Sequence, residues 1–167
     1  MFKQAIERLE KELRALEREY RHDLPREIGR ALAMGDLREN AEYHAALERQ
    51  SFVKAKIGHI KKRLSDISMI RVDALPRDRV GLGSTVVLFD VKEEKEIRYD
   101  LVFADDADVS RGFISITSPI GKGLAGRREG DQVTIQVPSG IKQFEIVSLK
   151  TLHQKEETPS SPRDEEE

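Results

Sequence analysis

The first 70 residues place apolar side chains every three or four positions, which is typical of a coiled coil. The first apolar stripe is spaced 4, 3, 4, 3 and 4 along the chain and comprises Phe2, Ile6, Leu9, Leu13, Leu16 and Tyr20. It continues one residue out of step as Leu24, Ile28 and Leu32. Pro25 lies beside this slip, and because proline has no amide hydrogen we expect a kink or an interrupted hydrogen bond there.

A second stripe predicts a helix that runs antiparallel to the first. Its members are Tyr43, Ala46, Gln50, Val53, Ile57, Ile60, Leu64 and Ile67. When the stripes face each other in opposite directions, the residue numbers of facing positions add up to between 69 and 71. Half of this sum places the turn at Gly35, and glycine tolerates the left-handed backbone that ends a helix. Residues 1–70 are therefore predicted to form a helical hairpin with arms of roughly 45–50 Å.

Two carboxylates occupy the tip of this predicted hairpin. Continued backwards by four and three residues, the second stripe meets Glu39 and Asp36. An Asp followed three residues later by a Glu is similar to a capping box, which satisfies the first amides of a helix. Two carboxylates one turn apart on one helical face also suit a hard cation such as Mg²⁺, although a partner would have to supply the missing ligands. Helix capping and a shared metal site are both open interpretations of these residues.

The second arm is basic from its middle to its base, where it carries Arg49, Lys54, Lys56, Lys61, Lys62 and Arg63. Residues 1–70 hold 15 Lys and Arg against 12 Asp and Glu, a small excess of three positive charges. A solvated coiled-coil face explains such a run, and so does a stripe that faces nucleic acid. The excess is too small to decide between them.

Residues 71–151 change to the alternating pattern of β-strands. The four apolar alternating segments are STVVLFDV, EIRYDLVFA, QVTIQV and IKQFEIVSL. The segment SPIGKGLAG between them favours one short helix, although its glycines weaken helical propensity. These elements predict a small α+β domain with a mostly antiparallel sheet, so the whole chain is expected to be an α+β protein.

Composition removes several classes of protein. The chain has no cysteine, which excludes disulfides and cysteine-based zinc sites, and its four histidines are scattered. No run of 18 or more apolar residues is present, and the N-terminus lacks the apolar centre of a signal peptide, so we expect a cytoplasmic protein without membrane association. Residues 152–167 are charged and almost devoid of apolar side chains, which predicts a disordered acidic tail.

Several segments carry a family resemblance. The segment GDLRENAEYHAA at 35–46 closely resembles the tip motif of the bacterial GreA/GreB transcript-cleavage factors, and is nearer to GreA. The likeness continues in LGSTV (82–86), DDAD (105–108), ISITSPI (114–120) and GD (130–131). The resemblance covers roughly residues 1–150.

The resemblance implies a coiled-coil finger on an FKBP-like domain that docks at the secondary channel of bacterial RNA polymerase. In this family two acidic tip residues, here Asp36 and Glu39, help to hold the second catalytic Mg²⁺ of the polymerase. The polymerase then cleaves backtracked nascent RNA near its 3′ end, so the factor is not itself the enzyme. The resemblance implies no cofactor on the free protein, only Mg²⁺ shared with the polymerase. We expect a monomer.

The motif also assigns further residues. Asn40, Glu42 and Tyr43 are expected to shape the tip, and the docking segment is expected at Ser118, Pro119 and Ile120. Candidates for contact with RNA or the channel are Arg49, Lys54 and Lys56. The family's short segment before the first helix has no counterpart here, and Gly121 and Gly123 replace better helix formers.

Three other functions fit parts of the sequence. A channel-binding regulator would inhibit the polymerase without stimulating cleavage, but the intact pair of Asp36 and Glu39 argues against it. A prolyl isomerase would need an aromatic-lined pocket, for which residues 71–150 offer only Phe89, Tyr99, Phe103, Phe113 and Phe144. A structural coiled coil or chaperone would be indifferent to the charge of the tip.

Overall fold

Two antiparallel helical arms form the first of two compact units, and the boundary between the units lies between Arg71 and Val72. The structure is a computed structural model that describes residues 2–35 and 38–157. The first arm consists of α1 (Phe2–Arg18), a π-helical turn (Glu19–Asp23) and α2 (Leu24–Leu32). The second arm is α3 (Ala41–Ser68), whose 28 residues give it a length of about 42 Å.

Apolar packing between the arms follows the predicted stripes. Every seventh residue of α3 is buried, namely Ala46, Val53, Ile60 and Ile67, and the intervening stripe positions are half-buried. The buried residues of the first arm are Ala5, Leu9, Leu16, Leu24 and Ala31. The second stripe is confirmed, whereas the end of the first was predicted one residue too late. Ala31 is buried there, while Leu32 is 46% exposed.

The π-helical turn explains the slip in the first stripe. Leu16 and Leu24 are eight residues apart instead of seven, and both are buried. The amide of Leu24 donates to the carbonyl of Glu19, five residues back, so the extra residue is taken up by one wider turn. Pro25 follows at the start of α2, where its missing N–H interrupts the regular hydrogen bonding. The irregularity predicted at Pro25 is confirmed.

Ion pairs link the two arms beside the apolar seam. Lys56 Nζ lies 2.6 Å from Glu12 Oε1, and Arg49 Nε lies 2.6 Å from Glu19 Oε1. Partly exposed pairs of this kind contribute about 0–1 kcal/mol each. The buried apolar residues therefore supply most of the hairpin's stability, and the ion pairs help to select its register.

The described part of the second unit, residues 72–157, contains a five-stranded sheet, three short 3₁₀ turns and two short helices. In chain order the helices and strands are β1 (Thr85–Asp90), β2 (Lys95–Val102), β3 (Phe113–Ser115), α4 (Pro119–Leu124), β4 (Gln132–Val137), β5 (Gly140–Lys150) and α5 (Leu152–Glu157). The strand order is β3-β2-β1-β5-β4, and only β3 pairs parallel, with β2. The predicted mostly antiparallel sheet is confirmed. No helix of residues 2–35 and 38–157 combines the length and apolar character needed to cross a bilayer.

Helix α4 packs closely on the core of this unit because of its glycines. The core residues are Val80, Val86, Leu88, Leu101, Ile114, Leu124, Val133, Ile135, Phe144 and Ile146. A Cβ on Gly121 would lie 2.2 Å from the Ser115 carbonyl oxygen, and one on Gly123 would lie 2.6 Å from the Ile135 side chain. The short helix predicted in SPIGKGLAG is confirmed, and its glycines permit the close approach.

Helix α5 corrects the prediction of a disordered tail from residue 152 onward. Thr151 and Gln154 form a reciprocal capping box in which the Thr151 amide donates to Gln154 Oε1 at 2.9 Å. Leu152 is only 3% exposed and packs against Gly83. Residues 152–157 are thus helical because one cap and one buried leucine outweigh their charged composition. Residues 158–167 of the predicted tail lie outside the described part of the chain.

Asp90 is a buried carboxylate at the turn between β1 and β2. It is 1% exposed, and its Oδ1 accepts hydrogen bonds from the amides of Glu93 (3.1 Å) and Lys92 (3.0 Å). Lys142 Nζ lies 3.5 Å from Oδ2. The amide donors, with Glu93 first, and the lysine lower the pKa of Asp90 despite its burial.

We expect Asp90→Asn to change the pH dependence of stability. Because the pKa of Asp90 is lowered by folding, its contribution is present above its unfolded pKa of about 3.9 and is lost as the pH falls through the folded pKa. The native protein should therefore exceed the variant in free energy of unfolding near neutral pH, and the difference should shrink in acid. Urea titrations between pH 7 and pH 2 measure it, and a pH-independent difference would contradict it.

Two glycine substitutions in the hairpin should have opposite effects. Gly58 lies within α3 with open space around its Cα, so Gly58→Ala should stabilise the hairpin by about 1 kcal/mol. Gly35 has φ +129° at the turn, a conformation that L side chains rarely adopt, so Gly35→Ala should destabilise by about 1–3 kcal/mol. Chemical denaturation followed by circular dichroism measures both, and effects of the same sign would contradict the prediction.

Candidate functional site

The candidate site is the tip of the helical hairpin, between the end of α2 at Leu32 and the start of α3 at Ala41. The final turn of α2 closes with the amides of Ala33 and Met34, which donate to Gly29 and Ala31. Asp36 lies outside the described residues, as does its neighbour Leu37. The description of the tip therefore rests on residues up to Gly35 and from Arg38 onward.

Asn40 makes the contacts that hold the two arms together at the tip. Its Oδ1 accepts from the Tyr43 amide at 3.1 Å and so caps the first turn of α3. Its Nδ2 donates to the Ala31 carbonyl at 2.6 Å, in the last turn of α2. One side-chain amide thereby satisfies a free N–H at the start of α3 and gives the Ala31 carbonyl, which also accepts from the Met34 amide, a second donor at the end of α2.

This geometry shows which residue caps α3. The N-cap is Asn40, so Glu39 is not the third helical residue that a capping box begun at residue 36 requires, and the Asp36 part of that interpretation lies outside the described residues. Asparagine can donate and accept at once, which allows the cap also to bind across the hairpin. A cap at residue 40 also means that Glu39 precedes the helix, so its predicted placement on a helical face is wrong, while Asp36 lies outside the described residues.

Glu39 is exposed in the turn immediately before the cap of α3. Its carboxylate lies near the N-terminal end of the helix, where the helix dipole favours negative charge. Carboxylate oxygens are the protein ligands that Mg²⁺ prefers, but the described residues contain no cluster of three or more His, Cys, Asp or Glu side chains that could hold a metal. Glu39 therefore belongs to no complete metal site among the described residues.

Neighbouring residues shape the turn around Glu39. His44 Nε2 lies 3.3 Å from the Arg38 carbonyl oxygen, and the ring of Tyr43 meets that of His44 edge-on at 5.7 Å. Glu42 is exposed in the first turn of α3, where it lines a groove with Met34. The sequence interpretation missed His44 and the Ala31 carbonyl. An asparagine directly before the apolar stripe of α3 was the available signal for the cap.

The basic candidates on α3 have different environments. Arg49 forms a two-point contact with Glu19, at 2.6 Å and 3.0 Å, and its guanidinium lies 5.3 Å from the centre of the Phe52 ring. The contact raises the pKa of Arg49 and lowers the pKa of Glu19. Lys56 is paired with Glu12. Lys54 is exposed and forms no ion pair with another described residue.

The predicted docking segment begins helix α4 of the second unit. Ser118 Oγ accepts from the Gly121 amide at 3.1 Å and donates to the Ser115 carbonyl at 2.6 Å, so this residue caps the helix. Ile120 is half-buried against the core, and Pro119 is exposed. Of the three residues, Pro119 offers the most accessible surface to a partner.

Family models match both units. The model described as the N-terminal part of a transcription elongation factor matches residues 1–68. The model described as the C-terminal part of transcription elongation factor GreA/GreB matches residues 75–151. Together these matches cover most of the chain.

Relatives in several bacteria are similar over nearly their whole length. Transcription elongation factor GreA of Trichlorobacter lovleyi is 41% identical over 148 residues, which are 89% of this chain and 94% of that protein. The GreA of Rickettsia bellii is 42% identical over 147 residues, or 88% and 91%. A crystal structure of GreA factor homolog 1 from Thermus thermophilus is 25% identical, covers 86% of this chain and 93% of its own, and has a TM-score of 0.39.

Removal of the Asn40 side chain should loosen the tip. Asn40→Ala loses the cap and the contact with Ala31, so we expect the free energy of unfolding to fall by about 1–2 kcal/mol. Asn40→Ser keeps a capping oxygen but has no donor that reaches Ala31. Its free energy of unfolding should therefore lie between that of the native protein and that of Asn40→Ala. Urea denaturation measures the three free energies of unfolding. An Asn40→Ala variant as stable as the native protein would contradict the prediction.

Proposed function

The chain belongs to the GreA/GreB family of transcription elongation factors, and on that basis we propose that it stimulates the transcript-cleavage activity of RNA polymerase. In this proposal it binds through the secondary channel, and the polymerase cleaves backtracked nascent RNA with its own Mg²⁺-dependent site. The observation that carries the proposal is the exposed Glu39 carboxylate, which the hairpin presents in the turn beyond its apolar seam.

Other residues of the hairpin position the Glu39 carboxylate so that it could bind a metal ion that the polymerase also holds. Asn40 sets where α3 begins and ties that point to α2, which leaves Glu39 in the turn instead of on the packed face of the helix. Glu39, together with Asp36, would hold the second Mg²⁺, while polymerase and RNA groups complete its ligands. When bound, that ion helps to generate and orient the nucleophilic water in phosphodiester hydrolysis.

The length of the two arms explains how Glu39 could reach an active site that is buried inside the polymerase. The 28 residues of α3 extend for about 42 Å, which is more than a small domain needs for its own core. The second unit would then remain outside as the docking module, with Pro119 and its neighbours at the contact. The protein supplies ligands and position, and the catalyst is the polymerase.

Proline isomerisation by the second unit has less support. A cavity of about 520 Å³ lies on the outer face of its sheet and is lined by Thr85, Val87, Arg98, Asp100, Ser148, Lys150, Gln154 and Lys155. None of these residues is aromatic. Phe144, one of the aromatic candidates, lies in the core and is not available to line a pocket.

The tip carboxylates should be essential for cleavage but not for binding. In stalled elongation complexes with Mg²⁺, Asp36→Asn with Glu39→Gln should lower the cleavage rate at saturating factor on the order of 100-fold, since metal ligands contribute several kcal/mol to the transition state. Gel analysis of the shortened RNA measures the rate. Glu48→Gln, at an exposed position on α3, serves as the control with native behaviour.

Unchanged cleavage by the double variant would contradict this assignment of the tip. Tight polymerase binding by the native protein without any cleavage would instead identify a channel-binding regulator. Binding is measured separately with fluorescently labelled factor and the elongation complex.

A further inference from the structure

We propose that the outward surface of the first arm around the π-helical turn docks against an acidic protein surface of the polymerase. This arginine face consists of Arg14, Arg18, Arg21 and His22. The identity of the partner rests on the proposed function. The surface itself follows from the charges and contacts of the first unit.

The four side chains are placed along one side of the arm. Arg14, Arg18 and Arg21 follow one another at four and three residues, which places them along one face of a helix over about 10 Å. They line a depression of about 310 Å³ with Glu17 at its edge. All four basic side chains are exposed, while Leu16 on the same helix is buried in the seam.

Three acidic residues of the first arm pair with the other arm. Glu12 pairs with Lys56, Glu17 with Lys61 at 3.1 Å, and Glu19 with Arg49. The side chains of the arginine face form no ion pair or hydrogen bond with other described residues. The guanidinium groups of the arginine face are therefore available to a partner.

The π-helical turn keeps the face oriented outward. Residues 19–23 take up one extra residue, so Leu24 returns to the seam while Arg21 and His22 stay in solvent. Wider turns of this kind often mark functional sites in helices. The arginine face thus coincides with the single irregularity of the described first arm.

An acidic protein surface fits this face better than a nucleic acid. Residues 1–70, which carry this face, have an excess of only three positive charges, whereas nucleic-acid-binding domains are usually strongly basic. No aromatic side chain lines the depression for base stacking. Arginine forks on a rigid helix suit fixed carboxylates, which they bind at two points.

The test is the affinity of full-length protein, fluorescently labelled, for RNA polymerase. The variant Arg14→Gln, Arg18→Gln, Arg21→Gln retains good helix formers and should bind about tenfold more weakly at low salt, the loss expected for three exposed charge pairs. The difference should narrow as ionic strength rises, because salt screens exposed charges. Its cleavage rate at saturating concentration should equal that of the native protein.

A second triple variant controls for net charge. This variant also removes three positive charges, but from exposed positions elsewhere, and it should bind polymerase with native affinity. Its substitutions are Lys3→Gln, Lys92→Gln and Lys95→Gln. Circular dichroism of both variants verifies folding. The tip variant separates the two proposals, since it should lose cleavage at saturation while retaining native affinity.

Native affinity of the arginine variant at low salt would overturn the proposal. The proposal would also be overturned if the arginine variant lost affinity only for a labelled single-stranded RNA and not for polymerase. That result would assign the face to nucleic acid. A native protein that binds but does not cleave would contradict the cleavage function alone, and weaker binding by the arginine variant would still support the arginine face. A native protein that fails to bind polymerase would overturn both.

Discussion

The apolar seam between α1–α2 and α3 is the constraint on which the hairpin depends. Its buried residues recur every seven positions on α3, and any offset on the first arm would turn the apolar stripe away from its partner. The wider turn at Glu19–Asp23 removes such an offset where Leu16 and Leu24 are eight residues apart. The seam then continues to Ala31, and this allows the Asn40 amide to bridge the two helices at the tip.

Elements that depend on repeated burial were predictable from the sequence. The α3 stripe, the short helix in SPIGKGLAG and the antiparallel strands each involve several side chains, so one unusual residue does not hide the pattern. Features that depend on one contact were not predicted. Ala31 replaces Leu32 at the end of the seam, and α5 is stable because of the Thr151 cap and Leu152, which composition alone does not show.

At the candidate site, too, the general location was predictable from the sequence, whereas the details that depend on a single contact were not. The sequence located its acidic residues at the tip of the hairpin but on the face of the second helix, whereas the structure places exposed Glu39 in the turn before that helix. It did not show where α3 begins, because Asp36 and Asn40 are both good N-cap residues and only the Ala31 carbonyl across the hairpin distinguishes them. The arginine face was not predicted either, because the heptad repeat marks only the buried side of a helix.

The position of β5 has a consequence for biosynthesis. This strand, which ends at Lys150, lies between β1 and β4, so the sheet cannot close until almost the last described residues have been translated. His153 then hydrogen-bonds to the Leu75 carbonyl, 78 positions earlier. The hairpin needs only the first 71 residues and can assemble while the ribosome is still elongating the chain. A ribosome that stalls late in synthesis would therefore carry a chain whose hairpin is folded and whose sheet is still incomplete.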